Sequence, residues 1–430
     1  MDAVREKAIL VGILLDDQNE DEFRLSMEEL GNLADACFME VVGITYQRLE
    51  YPNKALYVGT GKVREIASLY AREDADLIIF DNTLSPTQIR NLQRELNCPV
   101  MDRNGLILEI FESRARTREA KLQVQVAKLQ YMLPRLVGLH EALSRQGGGS
   151  GSRANKGAGE KKLELDRRKS EHRLNEFRKE LKDIKAERIT QRKKRAGSGI
   201  MRVALVGYTN AGKSTLMYAM LDACPKADGD QATKLVFEKD MLFATLDTTV
   251  RRIEPKGYQP FLLSDTVGFV SNLPHNLIEA FHSTLEEALE ADILLHVVDY
   301  SDPHFLEQIK VTEDTLAKLG ATDTPIIYIY NKSDKCMEIS DLPKIEYNRI
   351  YMSAKAGIGL MELLELMENV GSAIMSKGTY IIPYNRGDIV SYMQQSAGVK
   401  SVEYTEAGTR IEVTLKKSDY EKYKDYLEEL

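Results

Sequence analysis

Residues 207–214 read GYTNAGKS and carry the residue types that hold phosphate, in the pattern G-x-x-x-x-G-K-S. Gly207 and Gly212 let backbone N–H groups turn towards phosphate oxygens, Lys213 brings a positive charge, and the Ser214 hydroxyl is a magnesium ligand. An apolar strand pattern precedes the motif and a helix pattern follows it, which favours this interpretation over a glycine-rich turn without a ligand. The predicted phosphate-binding residues are Gly207, Tyr208, Thr209, Asn210, Ala211, Gly212, Lys213, Ser214 and Thr215.

A second nucleotide-binding motif has the letters DTVG at 265–268. It follows an apolar strand pattern that includes Leu263. Asp265 is expected to hold magnesium through a water molecule, and the Gly268 N–H is expected to contact the terminal phosphate. The next residue is Phe269, where many regulatory GTPases place a glutamine that orients the attacking water. We therefore expect slow unassisted hydrolysis, with the water positioned by another group. The predicted nucleotide contacts here are Asp265, Thr266, Val267 and Gly268.

A third motif, NKSD, follows the strand pattern 326–330 and predicts which base the nucleotide carries. The Asp334 carboxylate can accept both the N1 and N2 hydrogens of guanine, which adenine does not offer in that arrangement, while the Lys332 stem packs on the base. The letters SAK at 353–355 fit the last loop that meets the guanine oxygen. The predicted base-contacting residues are Asn331, Lys332, Ser333, Asp334, Ser353, Ala354 and Lys355. A guanine nucleotide, GTP or GDP, is thus the predicted ligand.

Length and composition describe a multidomain globular protein. A chain of 430 residues suggests roughly three domains. No apolar run reaches the roughly 18 residues of a membrane span, and the N-terminus lacks a signal-peptide pattern, so we expect a cytoplasmic location without stable membrane insertion. The 4 cysteines lie far apart and indicate neither a zinc site nor a disulfide framework.

The elements that position these motifs predict an α/β multidomain fold. Residues 1–112 alternate strand and helix patterns, which indicates a small α/β domain with a mainly parallel sheet. Within it, the letters GTGK at 59–62 are better explained as a turn that opens a helix than as a phosphate loop. A P-loop GTPase domain is predicted at 198–372 and a small α+β domain without evident chemistry at 378–430. Within the GTPase domain, His296 lies in an apolar strand pattern, which favours a core role for its side chain.

Residues 113–197 predict an antiparallel helical hairpin, because apolar residues follow heptad spacing in two stretches around a glycine-rich tip at 146–160. Pro134 is expected to kink the first helix. Residues 151–196 hold 17 Lys or Arg against 8 Asp or Glu, a net charge of +9 in a chain whose net charge is -8. A basic element on an acidic body indicates RNA contact through one part of the chain, although a solvated helix face stays an alternative. The predicted RNA contacts are Arg153, Lys156, Lys161, Lys162, Arg167 and Arg168.

The arrangement resembles the HflX-type GTPases, a ribosome-associated branch of the translation-factor-related GTPases. The resemblance covers nearly the whole chain, and the letters FATLD at 243–247 are distinctive of that family. It implies that Thr245 is a magnesium ligand beside Ser214 and Asp265, and that Lys213, Thr245 and Gly268 are the catalytic set. The nucleotide contacts that this segment adds are Phe243, Ala244, Thr245, Leu246 and Asp247. The tip differs from the family pattern TRGPGE, because residues 152–160 read SRANKGAGE.

The resemblance further implies binding to the large ribosomal subunit and its RNA, and the separation or rescue of stalled ribosomes. The expected ligands are GTP or GDP with Mg²⁺. Asn210, in the pattern G-x-x-N-x-G-K, resembles the asparagine of GTPases that recruit a K⁺ ion beside the phosphates, and a residue that only caps the loop stays the alternative. We expect GTP hydrolysis, with ATP as a side activity, by a monomer that binds no DNA. Two alternatives stay open: a factor for large-subunit maturation, and a switch outside the ribosome whose basic arm contacts an acidic partner or places a fraction of the protein at a membrane surface.

Overall fold

The computed structural model describes residues 5–145, 153–196, 200–224, 243, 249–271, 282–396 and 398–428. The chain divides into two compact units. The first contains Met1–Leu181 together with Phe243 and Ser271, and the second contains the remaining described residues. The predicted boundaries at 112, 197 and 372 stay predictions.

The first unit opens with the α/β domain that the alternating pattern predicts. Its parallel sheet has the order β2-β1-β3-β4. The strands are β1 (Glu6–Leu15), β2 (Met39–Leu49), β3 (Leu77–Phe80) and β4 (Val100–Asp102). The helices are α1 (Glu20–Ala36), α2 (Thr60–Glu73), α3 (Pro86–Leu96) and α4 (Arg103–Arg114). The continuous apolar run of β1 is buried because helices cover a parallel sheet on both faces.

Local signals in the sequence start several of these helices. Ser85 and Gln88 form a capping box ahead of α3, with Pro86 in its first turn. The GTGK stretch is the predicted helix-opening turn, since Gly59 is the N-cap of α2 and Lys62 pairs with Glu65 at 2.6 Å. By contrast, β4 and α4 carry no clear pattern, because β4 is short and the first part of α4, from Arg103 to Leu108, is buried without a break.

Two long helices form the predicted arm, α5 (Arg118–Arg145) and α6 (Arg153–Ala196). An ion pair between Arg118 and Glu180 joins the start of α5 to the C-terminal half of α6, as an antiparallel arrangement requires. The tip prediction at 146–160 is wrong for its second half, because α6 already begins at Arg153. Ala, Lys and Glu around Gly157 and Gly159 favour helix, and a helix propagates through single glycines at about 1 kcal/mol each. The kink at Pro134, which lies within α5, stays a prediction.

The second unit contains a sheet in which strands β5 (Met201–Val206), β7 (Phe261–Asp265), β8 (Ile293–Asp299) and β9 (Ile326–Asn331) are parallel. Its full order is β10-β11-β9-β8-β5-β7-β6, and the antiparallel strands β6 (Thr249–Ile253) and β10 (Lys344–Glu346) form its edges beside β7 and β11 (Arg349–Tyr351). The helices are α7 (Lys213–Ala223), α8 (His282–Leu289), α9 (Phe305–Leu319) and α10 (Leu360–Ile374). The carboxyl ends of β5, β7 and β9 carry the three nucleotide motifs.

The C-terminal part of the second unit is an antiparallel sheet of order β12-β14-β13. Its strands are β12 (Met375–Ile382), β13 (Gly398–Thr405) and β14 (Gly408–Lys416), with helices α11 (Gly387–Ser396) and α12 (Lys417–Lys422). A 3₁₀ turn at Lys424–Tyr426 follows α12. Among the residues that the structure describes, no helix is long and apolar enough to cross a membrane.

Candidate nucleotide site

The phosphate loop has the backbone geometry that its glycines predict. Gly207 has φ +142° and Gly212 has φ +95°. A Cβ atom on Gly207 would lie 2.2 Å from the Val297 carbonyl oxygen, and one on Gly212 would lie 2.3 Å from the Asn331 Nδ2 atom. These two positions therefore require glycine. Gly212 is also the N-cap of α7 and supplies no side-chain cap, so the first N–H groups of the helix are available to an anion.

Lys213 is buried beneath this loop with 7% of its surface exposed. Its ammonium donates to the carbonyl oxygens of Gly207 at 2.9 Å and Tyr208 at 2.7 Å. Burial lowers the pKa of the Lys213 ammonium to about 8, and the Asp265 carboxylate acts in the opposite direction. The Lys213 ammonium is therefore poorly solvated, and a bound phosphate would stabilise its charge.

The donor set for a divalent ion lies beside this lysine. The Ser214 hydroxyl donates to Asp265 Oδ2 at 2.7 Å, and Asp265 is 2% exposed. A hydroxyl and a carboxylate are the hard oxygen ligands that Mg²⁺ prefers, so the two residues present fit the predicted ion. The third predicted ligand, Thr245, and the contacts Ala244, Leu246 and Asp247 lie outside the described residues.

The segment that follows β7 runs against the phosphate loop. The Phe269 N–H donates to the Gly207 carbonyl at 3.2 Å, and the Thr209 N–H donates to the Phe269 carbonyl at 2.9 Å. Gly268 packs so closely that a Cβ atom there would lie 2.8 Å from Thr209 Cγ2 and 3.0 Å from Lys213 Nζ. The structure therefore brings Gly268 to the phosphate loop, as the DTVG motif predicts. Thr266 fixes the strand end by donating to the Leu205 carbonyl at 2.6 Å.

The base-contacting motifs meet at the same end of the sheet through Asn331. Its Nδ2 donates to the Ala211 carbonyl at 2.9 Å, and its Oδ1 accepts the Ala354 N–H at 2.9 Å. The phosphate loop and the SAK loop are thereby fixed to one side chain. Ser333 is fully buried and donates to the Tyr330 carbonyl at 2.7 Å. Asp334 is exposed, so its carboxylate is accessible to a guanine base.

Asp299 is a residue of this site that the sequence analysis missed. It ends β8, and its Oδ2 accepts the Lys332 ammonium at 2.7 Å. Lys332 also donates to the Asn210 carbonyl at 2.8 Å. The available signal was a carboxylate at the end of an apolar strand, where the carboxyl edge of a parallel sheet gathers functional side chains. Asp299 thus holds the lysine that is expected to pack on the base.

His296 has the core role that its apolar context predicts, since it is 1% exposed and its ring lies 5.4 Å from that of Tyr328. Burial, together with the charge of Lys213, lowers the pKa of His296 to about 3. A neutral imidazole at every working pH is not a proton shuttle for the reaction. No group of three or more His, Cys, Asp or Glu side chains that could hold a metal ion occurs in the described ranges.

The predicted RNA-binding residues all lie on α6. Arg167 donates to Glu171 at 2.7 Å, one helical turn along, and Arg168 is exposed. The side chains of Arg153, Lys156, Lys161 and Lys162 lie outside the described part of the structure. The six positions therefore share a helix rather than a loop.

Comparison with known proteins gives matches along most of the chain. Three family models match in succession: "GTP-binding GTPase N-terminal" at residues 24–112, "GTP-binding GTPase Middle Region" at 114–195 and "50S ribosome-binding GTPase" at 202–332. The chain is 42% identical over 407 residues to the GTPase HflX of Caldanaerobacter subterraneus subsp. tengcongensis, covering 95% of this chain and 90% of that protein. It is 40% identical over 434 residues to the GTPase HflX of Akkermansia muciniphila, covering 98% and 97%.

Among solved structures, the crystal structure of SsGBP with GDP has a TM-score of 0.46 to this chain at 25% identity. The match covers 86% of this chain and 99% of that one. A GTP-binding protein from Sulfolobus solfataricus in complex with GDP has a TM-score of 0.42 at 23% identity, covering 86% of this chain and 99% of that chain.

Proposed function

Because the chain belongs to the HflX family of GTPases, we propose that it uses GTP hydrolysis to act on the large ribosomal subunit and to separate or rescue stalled ribosomes. The enzyme binds and hydrolyses GTP. The observation that carries the ribosomal part is that one chain joins the three nucleotide motifs to a basic helix, α6. The match of residues 202–332 to the family model described as a 50S ribosome-binding GTPase supports the choice of partner.

Mg²⁺ is proposed as the ion of the site, with Ser214 and Thr245 as protein ligands and Asp265 holding the ion through a water molecule. When bound, such an ion neutralises charge on the phosphates. The other contacts to the phosphates come from residues of the chain. Lys213 contributes a buried positive charge to the outer phosphates, and the Gly268 N–H is available to the terminal one. Phe269 is 1% exposed, so its side chain cannot orient the attacking water.

K⁺ is proposed as a second ion beside Asn210. This residue has φ +61° and an exposed position, and its carbonyl is already engaged by Lys332. A contact would therefore use its side-chain oxygen. Equal rates of hydrolysis in sodium and potassium buffers would remove this ion from the proposal.

The basic helix is proposed to contact ribosomal RNA through charge. Phosphate contacts made by Lys and Arg weaken steeply with salt, so the helix provides affinity that ionic strength can test. We further propose that the protein works as a cytoplasmic monomer, with RNA rather than DNA as its partner. GTP would order the segments around Thr245 and Gly268 and favour the bound state, and hydrolysis would release it.

The test compares GTP turnover with and without purified large subunits for three proteins. The parent chain is the first. In the second, Arg153, Lys156, Lys161 and Lys162 are changed to Glu; in the third, the matched control, Arg192, Lys193, Lys194 and Arg195 at the other end of α6 are changed to Glu. Stimulation of the parent and the control, with loss in the second protein, is the expected result. Equal turnover in all three, with or without subunits, would refute ribosome contact through the start of α6.

Sedimentation of intact ribosomes with the protein and GTP then distinguishes the kinds of ribosomal action. Conversion of joined particles into separate subunits is expected for a splitting factor. Binding to free large subunits while joined particles persist would instead indicate a maturation factor. Binding that resists removal of RNA would place the partner outside the ribosome.

A further inference from the structure

The N-terminal sheet has a long strand at an open edge. β2 is the first strand in the order β2-β1-β3-β4, and within the described residues it pairs with β1 alone. The main-chain N–H and C=O groups of β2 that point away from β1 are therefore available to a further strand. With 11 residues, β2 is also the longest strand of this sheet. The free edge is thus long enough for an extended ladder of hydrogen bonds.

One face of β2 is open as well as its edge. Side chains alternate along a strand, so the even-numbered residues from Glu40 to Arg48 share a face. On that face Ile44 is 60% exposed and Tyr46 is 51% exposed, whereas Thr45 on the opposite face is 8% exposed. Glu40 and Arg48 are exposed at the two ends of the open face. An apolar centre on an edge strand can be buried against a neighbouring strand, and the flanking charges restrict which strand fits.

The open face of β2 is complementary to itself. In an antiparallel pair of two copies, with the two Ile44 residues opposite each other, Glu40 lies opposite Arg48 of the second copy. Two-fold symmetry repeats this contact, so both charges of both strands are paired. Val42 lies opposite Tyr46 of the second copy in the same register. Opposite charges and pairs of an aromatic with a β-branched residue are favourable cross-strand neighbours.

The charges also select this register over its neighbours. Because side chains alternate, a strand that keeps the same faces together can shift only in steps of two residues. One such shift sets Glu40 opposite Glu50, which places like charges together. The shift in the other direction sets Glu40 opposite Tyr46 and leaves it without a cation. Of these three registers, only the one centred on Ile44 pairs Glu40 with Arg48.

We propose that β2 is a self-association edge, through which two copies of the free protein join their four-stranded N-terminal sheets across a two-fold axis. Such an interface uses the same surface of both copies and closes on itself, so it gives a dimer and not a fibre. A single pair of strands makes a small interface, so the dimer is weak and depends on protein concentration. It dissociates into the monomer that is proposed above as the working form. The inference does not rest on the ribosomal role or on the nucleotide site.

The test measures the molar mass of the full-length protein by sedimentation equilibrium over a wide range of protein concentration. The parent is compared with E40R, R48E and the double variant E40R/R48E. Each single change sets like charges opposite each other in the dimer, whereas the double change exchanges the two charges and restores the pairing. Arg48 also forms an exposed ion pair with Glu20 at 3.7 Å. The double variant loses that pair too, so recovery in it reports on the dimer alone.

The parent is expected to approach twice the monomer mass of 48.6 kDa as its concentration rises. Each single variant is expected to weaken dimerisation about tenfold, because two exposed charge contacts become repulsive at once. The double variant is expected to return to within about threefold of the parent. A parent that stays monomeric at every concentration would overturn the proposal, as would single variants that dimerise like the parent or a double variant as weak as the single ones.

A crosslinking variant tests the register directly and decides the question if a charge variant does not fold. In I44C the two new thiols face each other at the two-fold axis, where directly opposite Cα atoms lie about 4.5–5.5 Å apart, within reach of a disulfide. L306C is the matched control, because Leu306 is 64% exposed and lies on the helix α9. With a mild oxidant, I44C is expected to form a covalent dimer at least about tenfold faster than L306C or the parent. Equal rates in I44C and L306C would contradict the pairing of β2 with itself.

Discussion

The contact between Asp299 and Lys332 predicts how tightly the protein holds any guanine nucleotide. Asp299 Oδ2 accepts the Lys332 ammonium at 2.7 Å, while Oδ1 accepts the Ser301 N–H at 3.1 Å and its hydroxyl at 2.6 Å. D299N isolates the first contact, because its amide oxygen can still serve Ser301 while its NH₂ group faces the ammonium. Lys332 would then lose one of its two anchors and leave its position at the base.

The magnitude follows from the exposure of the pair. The side chains of Lys332 and Asp299 are 20% and 16% exposed, so the pair is mostly buried and only partly screened by solvent. A hydrogen bond with a charged partner contributes about 1.5–3 kcal/mol, and we take the low end, which corresponds to about a tenfold weaker nucleotide affinity. The loss should be equal for GTP and GDP, because the base is common to both.

Fluorescence titration with labelled GDP and a labelled non-hydrolysable GTP analogue measures this effect. E346Q is a suitable control, since Lys344 and Glu346 form an ion pair whose side chains are 51% and 40% exposed. D299N affinities within twofold of the parent would refute the positioning of Lys332 by Asp299. A loss confined to the GTP analogue would refute it too, because it would place the effect at the phosphates.

Three further predictions concern the same site. Since the pKa of Lys213 is about 8 in the free protein and the phosphate-bound form needs the ammonium, GDP affinity should be flat below pH 8 and fall about tenfold per pH unit above it; a titration flat to pH 10 would contradict this. D334A should weaken GTP binding by about 100-fold and leave ATP binding unchanged, because only guanine uses that carboxylate; competition titrations measure both, and parallel losses would contradict it. G207A should weaken GDP binding by about 30-fold in the same titration, because φ is +142° and the new Cβ would overlap the Val297 carbonyl, with strain of about 1–3 kcal/mol; parent-like binding would contradict it.

The nucleotide site could be predicted from sequence because its determinants are local. Each motif places its functional groups within a few residues of a strand end, and the backbone requirements of Gly207 and Gly212 appear directly as residue types. Asp299 escaped prediction because its partner, Lys332, lies directly after a neighbouring strand, β9. Only the pairing of β8 with β9, which sets Asp299 opposite Asn331, brings the two together.

The helical arm and the end of the first domain were harder to predict for different reasons. Glycine content indicated a loop at 153–160, but helix formation is cooperative and α6 includes that stretch. In α4 the residues from Arg103 to Leu108 are buried without a break, so no helical periodicity marks its start. Arg103 of that helix donates to Glu29, Asp81 and Ser271, which are remote in sequence, and such tertiary pairing leaves no local pattern.

Phe269 stands where many regulatory GTPases place a glutamine. Where a glutamine could orient water with its side chain, the buried Phe269 contributes only its main chain, which is hydrogen-bonded to Gly207 and Thr209. Gly268 directly precedes Phe269, so these two bonds also hold Gly268 against the phosphate loop. A hydrophobic residue after the DTVG motif therefore still serves the site, because its main chain fixes the segment that carries Gly268.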